Sequence, residues 1–162
     1  MRTLGDHFPL EDRQEHIRSE LNPGKILYLD AAFTDPPKPK YVVLACVQPK
    51  PVLLLINSRV NPNVERDPSR AGRHLRLSAS DYAFLSHDSF LDCSKEYGLA
   101  SDLEMTGQLV ADLGRIKGDL TQADKLRVVE IIKTSPTIPP RIIKAIEMAL
   151  GSPTNDQSAA TQ

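Results

Sequence analysis

Tryptophan is absent from this 162-residue chain, and tyrosine and phenylalanine supply four residues each. A nucleic-acid surface built on stacking alone is therefore poorly supplied. The two cysteines, Cys46 and Cys93, stand in apolar or strand-like settings. With four scattered histidines they form no zinc-ligand spacing, so both read as buried thiols rather than as a disulfide. No apolar run approaches the roughly 18 residues of a membrane span. The opening MRTLGDHFPLEDRQEH is too polar for a secretory signal, and the expected location is cytoplasmic. A Gly-rich phosphate loop, HExxH, GxSxG, a CxxC pair and an EF-hand loop are all missing. Nucleotide, zinc and serine-hydrolase chemistry thus have no sequence support, and no cofactor is expected.

What is present suits one compact domain: 40% apolar residues for a core and 25% charged residues in 17.9 kDa. The formal charge of −1 conceals an asymmetry. Residues 24–80 hold nine basic and four acidic groups, whereas the flanks together are acidic. A basic middle on a near-neutral protein can steer a polyanion to one face.

Along the chain, residues 1–22 read as an N-terminal extension with a short polar helix over Leu10 to Leu21, stopped by Asn22-Pro23-Gly24. Lys25 to Asp30 reads as a strand. The proline-rich loop Thr34 to Pro39 is too stiff and donor-poor for a sheet interior. Tyr41 to Val47 and Val52 to Ile56 then form a hairpin of two well-buried strands. Asn61 to Gly72 is a polar loop. His74-Leu75-Arg76-Leu77-Ser78 and Ser89 to Ser94 alternate with period two as half-exposed strands. Five strands with no helix-length segment between them fit a small curled sheet or barrel. Helix follows from Thr121, where Thr121-Gln122-Ala123-Asp124 resembles a capping box with the acid reaching back to the first free amide. Leu126, Val128, Val129, Ile131 and Ile132 suit a helix to about Thr134. A second helix opens near Pro140, with Ile142, Ile143, Ile146 and Leu150 on one face and Gly151 as its stop. The expected fold is mainly β with C-terminal helices (α+β), a domain over 23–150 and a polar, disordered tail over 151–162.

The candidate chemistry lies at strand ends. Ser58, between Asn57 and Arg59, has turn chemistry as its commoner role, but it can also present a hydroxyl beside a guanidinium. Lys40 precedes one central strand, with Lys38 two residues earlier. Because Lys40 starts one strand and Ser58 ends its antiparallel neighbour, the two must lie at the same end of the hairpin. Arg66, Arg70, Arg73 and Arg76 follow, with Asp67 the sole acid among them; they suit a solvated loop or backbone contacts to RNA. Tyr41, Tyr82 and Phe84 are stacking candidates for which core packing is the commoner role. His87-Asp88-Ser89 is no triad, since adjacent residues of an extended chain point apart, and Asp88 suits a cap. His74 is either a surface residue or a proton donor or acceptor.

The order Pro23-Gly24-Lys25-Ile26-Leu27-Tyr28, Lys40-Tyr41-Val42-Val43-Leu44, Leu54-Leu55-Ile56-Asn57-Ser58 and Phe84 to Cys93 resembles the MazF/PemK-like toxin family over about residues 23–150. The resemblance implies an SH3-like barrel homodimer that cleaves single-stranded RNA without a metal and is silenced by an antitoxin protein. It implies Lys40 and Ser58 as catalytic residues; on that reading Lys38, Arg59, Arg66, Arg70, Arg73 and Arg76 are expected to hold RNA. The family normally has Arg, typically followed by Pro, where this chain has Lys40-Tyr41, and Lys is a point charge rather than a planar fork. Two expectations follow: a Lys-based ribonuclease, or a noncatalytic barrel that binds a protein partner through the same rim.

Overall fold

The computed structural model describes residues 7–98 and 102–151. The tail expected beyond Gly151 lies outside them. A helix, α1 (Leu10–Glu20), precedes the strands β1 (Lys25–Ala31), β2 (Lys38–Cys46) and β3 (Val52–Asn57). Two single-turn helices, α2 (Pro62–Glu65) and α3 (Pro68–Ala71), lead to β4 (His74–Leu77), β5 (Ser89–Asp92) and the two-residue β6 (Tyr97–Gly98). Then come α4 (Asp102–Ala111), a 3-10 turn at Leu113–Arg115, β7 (Ile116–Asp119), α5 (Gln122–Lys133) and α6 (Pro140–Leu150). The protein is α+β: one curled, half-barrel sheet in the order β4-β5-β3-β2-β1-β7, with β6 on β3 beside β5, every pairing antiparallel.

Each face of the sheet has its own core, and the period of two in a strand explains which residues enter which. One face presents Ile26, Val43, Leu54, Ile56, Leu77, Leu91 and Cys93 to Val128, Val129 and Ile132 of α5 and to Ile142, Ile146 and Leu150 of α6. The opposite face presents Leu27, Leu29, Val42, Leu44, Leu53 and Leu55 to Ile17 of α1 and to Met105 and Leu109 of α4. With cover on both sides, β3 is apolar and buried from Val52 to Ile56 without alternation. The turn between α1 and β1 passes through Gly24 at φ +94°. That left-handed backbone favours glycine, and a Cβ there would also lie 2.5 Å from Cε of the buried Lys125, whose side-chain end would have to shift.

Four details depart from the sequence reading. Strand β2 begins at Lys38, so Pro39 lies in the sheet, paired only with Asp30 of β1 at a point beyond the end of β3; its missing N–H costs no ladder bond on the open side. Residues 95–120, unassigned from sequence, supply β6, α4 and β7. Leu126 points outward, 46% exposed, while Asp124 is buried. The Thr121 side chain does accept from Asp124 N (3.1 Å), but the carboxylate does not reach back to Thr121 N. The Tyr82 hydroxyl stands between them, accepting from Thr121 N (3.1 Å) and donating to Asp124 Oδ2 (2.5 Å).

Candidate functional site

The sheet is covered unevenly. On the face that carries the second core, the apolar residues that meet α1 and α4 come from β1, β2 and β3. The same face continues across β5 and β4, where among the described residues that core contributes nothing. Registers identify its residues there. Asn57 pairs with Phe90, Phe90 with Arg76, and Asp92 with His74. The β2–β3 register, run one step past Tyr41 and Ile56, sets Lys40 opposite Asn57. Lys40 Nζ donates to Asn57 Oδ1 across 3.1 Å. Thus Lys40, Asn57, Phe90 and Arg76 form one row across four strands, with His74 and Asp92 one step along on the same face.

This row continues into a cleft of about 1320 Å³ between the β3–α2 loop, α3 and the chain after β5. Arg59, Arg70, Arg73 and Lys95 line it against Asp92 and Glu96, so its cations outnumber its carboxylates. Asn61 and Asp67 cap α2 and α3 by accepting from Asn63 N and Ser69 N, and Pro62 and Pro68 occupy the first helical positions; these caps set the α2–α3 wall. Within the cleft His74 is nearly enclosed, its side chain 9% exposed. Its Nδ1 lies 3.1 Å from Arg70 O and its Nε2 3.5 Å from Asp92 Oδ1. These contacts place the ring between α3 and β5. Asp92 Oδ1 also accepts from Ser94 N (2.9 Å) and Ser94 Oγ (2.5 Å). Arg73 Nη2 donates to Thr134 O (3.2 Å), tying the end of α5 to the cleft wall, while its Nη1 is buried with no partner among the described residues.

The residues singled out from sequence divide. Lys40 and the Asn57-Ser58-Arg59 turn do meet at one end of the β2–β3 hairpin, although Lys40 is the third residue of β2 and not its first. Its direct partner is Asn57; Ser58 is exposed one residue on, and among the described residues no side chain is hydrogen-bonded to its hydroxyl. Arg59, Arg70 and Arg73 line the cleft. Arg66 is exposed at the end of α2 and does not line it. Arg76 is exposed and paired with Asp88, whose other oxygen accepts from Ala79 N (2.8 Å), the capping role expected of it. Lys38 lies two residues before Lys40 on the same face, beside Glu104 and Gln108 in a separate shallow groove. Tyr41, Tyr82 and Phe84 pack against one another on the first core and are not platforms.

Burial first, and then the charge of Lys38, hold the Lys40 amine below its ordinary value of 10.5. A lysine in that state can serve as a cation or give up its proton more readily than a solvated one. The sequence reading missed Asn57 as the partner of Lys40, Lys95 as a wall of the cleft, and Phe90 in the row across four strands. Period two already placed His74 with Arg76 and Phe90 with Asp92; only strand pairing joins the four. Among the described residues no three His, Cys, Asp or Glu side chains converge as a metal ion would need. Compared with known proteins, the chain matches no family model and no curated protein sequence.

Proposed function

We propose that this protein is a metal-independent endoribonuclease acting on single-stranded RNA, a toxin of the MazF/PemK-like kind on an SH3-like barrel, dimeric and silenced by a protein antitoxin. The observation that carries the reading is the polar row on β2 to β5, to which among the described residues the apolar core under α1 and α4 does not extend. There Lys40, held by Asn57 at the mouth of a cleft lined by Arg59, Arg70, Arg73 and Lys95, offers an extended polyanion charge on one side and room on the other. In the reaction the 2′-oxygen of a ribose bonds the adjacent phosphorus and the bond to the 5′-oxygen breaks. The proton lost from the 2′-oxygen is balanced by one delivered to the 5′-oxygen, giving a cyclic phosphate and a 5′-hydroxyl. Lys40 spends one N–H on Asn57 and keeps two for the phosphoryl oxygens, where negative charge grows. The exposed Ser58 hydroxyl supplies a further donor, and Arg59 and Arg70 hold flanking phosphates.

Purified protein incubated with end-labelled single-stranded RNA in EDTA tests this. Discrete cuts with cyclic-phosphate ends are expected, with Lys40→Ala slowing them about 10²- to 10³-fold, the usual cost of one aligned donor. Ser58→Ala is expected to slow them as well. Absence of cleavage by folded wild type across several RNAs overturns the enzyme. Binding without cleavage would then mark the rim as a docking site only.

A further inference from the structure

We infer that Phe90 and Asn57 form a nucleobase subsite, in which one unstacked base lies on the Phe90 ring while the Asn57 amide meets its edge; this rests on the RNA reading above. The chain has eight aromatic rings. Six of them pair with one another: Tyr28 with Tyr41, Phe33 with Tyr97, and Tyr41 and Tyr82 with Phe84. Phe8 and Phe90 do not. Phe90 also belongs to neither apolar core, although its strand neighbours Ser89 and Leu91 are buried on the opposite face. It is half-buried in the middle of the Lys40 to Arg76 row, with Asn57 on one side and the exposed Arg76 on the other. A solvated strand face is ordinarily polar at such a position. An aromatic ring that no core claims, set among cations, is what single-stranded RNA binders use to stack a base.

Asn57 adds direction. Its Oδ1 is taken by Lys40 Nζ, which turns the Nδ2 amine away from that bond with two donors to give. Those donors suit a base that presents a carbonyl oxygen, uracil in particular. The phosphates on either side of the stacked base would then fall to Lys40 on one flank and to the arginines of the cleft on the other, whose charge complements the backbone. Arg76 is held by Asp88 beside the ring and borders the platform.

The absence of tryptophan makes the test clean. Phe90→Trp introduces a single tryptophan at the proposed platform, excited at the red edge where the four tyrosines do not absorb. The protein is titrated with a dye-free 2′-O-methyl oligouridylate, which cannot be cut, and with an abasic oligomer of the same length. The expected result is quenching of the tryptophan by the oligouridylate and none by the abasic strand. In parallel, Phe90→Leu keeps an apolar side chain but removes the π-face. By anisotropy of dye-labelled strands it should bind oligouridylate roughly tenfold more weakly and the abasic strand as wild type does. Circular dichroism checks that both variants are folded. Equal affinity of wild type and Phe90→Leu for oligouridylate, or binding to Phe90→Trp without quenching, overturns the subsite and leaves RNA binding standing. Failure of folded wild type to bind either strand overturns the RNA reading and the subsite together.

Discussion

Lys40 and Cys93 show how far one side chain's chemistry is set by what surrounds it. Lys40 is half-buried at the sheet rim, where burial and then the charge of Lys38 disfavour its charged form, and its Nζ donates to Asn57 Oδ1. Cys93 is wholly buried on the first core, and burial, followed by the charge of Asp92, pushes its thiol up to about 12. Burial also raises Cys46, which lies in the same core. Since the thiolate is the reactive form, neither sulfur should react while the fold is intact. An aromatic disulfide reagent at pH 8 is expected to label no thiol in native protein and two in urea; rapid labelling of native protein would show that the core is open. The burial of both cysteines was legible from their apolar neighbours in the sequence. That Lys40 meets the end of β3 was legible too, but not that its partner is Asn57 rather than Ser58, because the exact hairpin register decides it.

Helix α5 shows what an element gains from a residue far away in the chain. The pattern Thr121-Gln122-Ala123-Asp124 announces its start, and Thr121 is indeed the cap. The reciprocal half of the box is replaced by the Tyr82 hydroxyl, wedged between Thr121 N and the buried Asp124 carboxylate, whose second oxygen accepts from Arg127 (3.1 Å). Burial, then Asp124, raises the Tyr82 phenol above its ordinary value, which keeps it a donor. Tyr82→Phe should cost about 1.5–3 kcal/mol, as expected for a hydrogen bond to a charged group. Thr121→Ala should cost about 1 kcal/mol. The pair, sharing one network, should be non-additive in urea unfolding. A Tyr82→Phe protein as stable as wild type would show that water replaces the hydroxyl. The strands were readable because alternation and apolar runs survive in β1 to β5. By contrast, α4 carries Gly107 and a mixed surface, β7 is four residues with Gly118 inside, and β6 is two residues long. None of these has a period to read, and each is held by the partner it pairs with or packs upon.

At the scale of the molecule, the two cores share one sheet. β1, β2 and β3 send alternate side chains into each, so neither core can melt while the other keeps its strands. Helix α1 looked like a polar extension because Ile17 is its one buried residue. That residue is fully enclosed between the sheet and α4, and Arg13 Nη1 reaches across to Val110 O (3.2 Å). The helix therefore closes the second core over β1 to β3. Among the described residues that core takes nothing from β4 and β5, and in the row beside it Lys40, Asn57 and Phe90 are half-buried and Arg76 is exposed. Ile17→Ala is expected to cost about 2–5 kcal/mol, the range for an aliphatic side chain removed from a packed site. The loss should shift a single cooperative transition, with circular dichroism and tyrosine fluorescence coincident. If α1 were an independent appendage, the variant would leave the main transition unmoved or add a separate early one. Because the Lys40 to Arg76 row lies outside the second core, RNA affinity measured well below the midpoint should stay within about twofold of wild type. A parallel loss of affinity in folded Ile17→Ala protein would mean that the helix shapes the RNA face as well as the core beneath it.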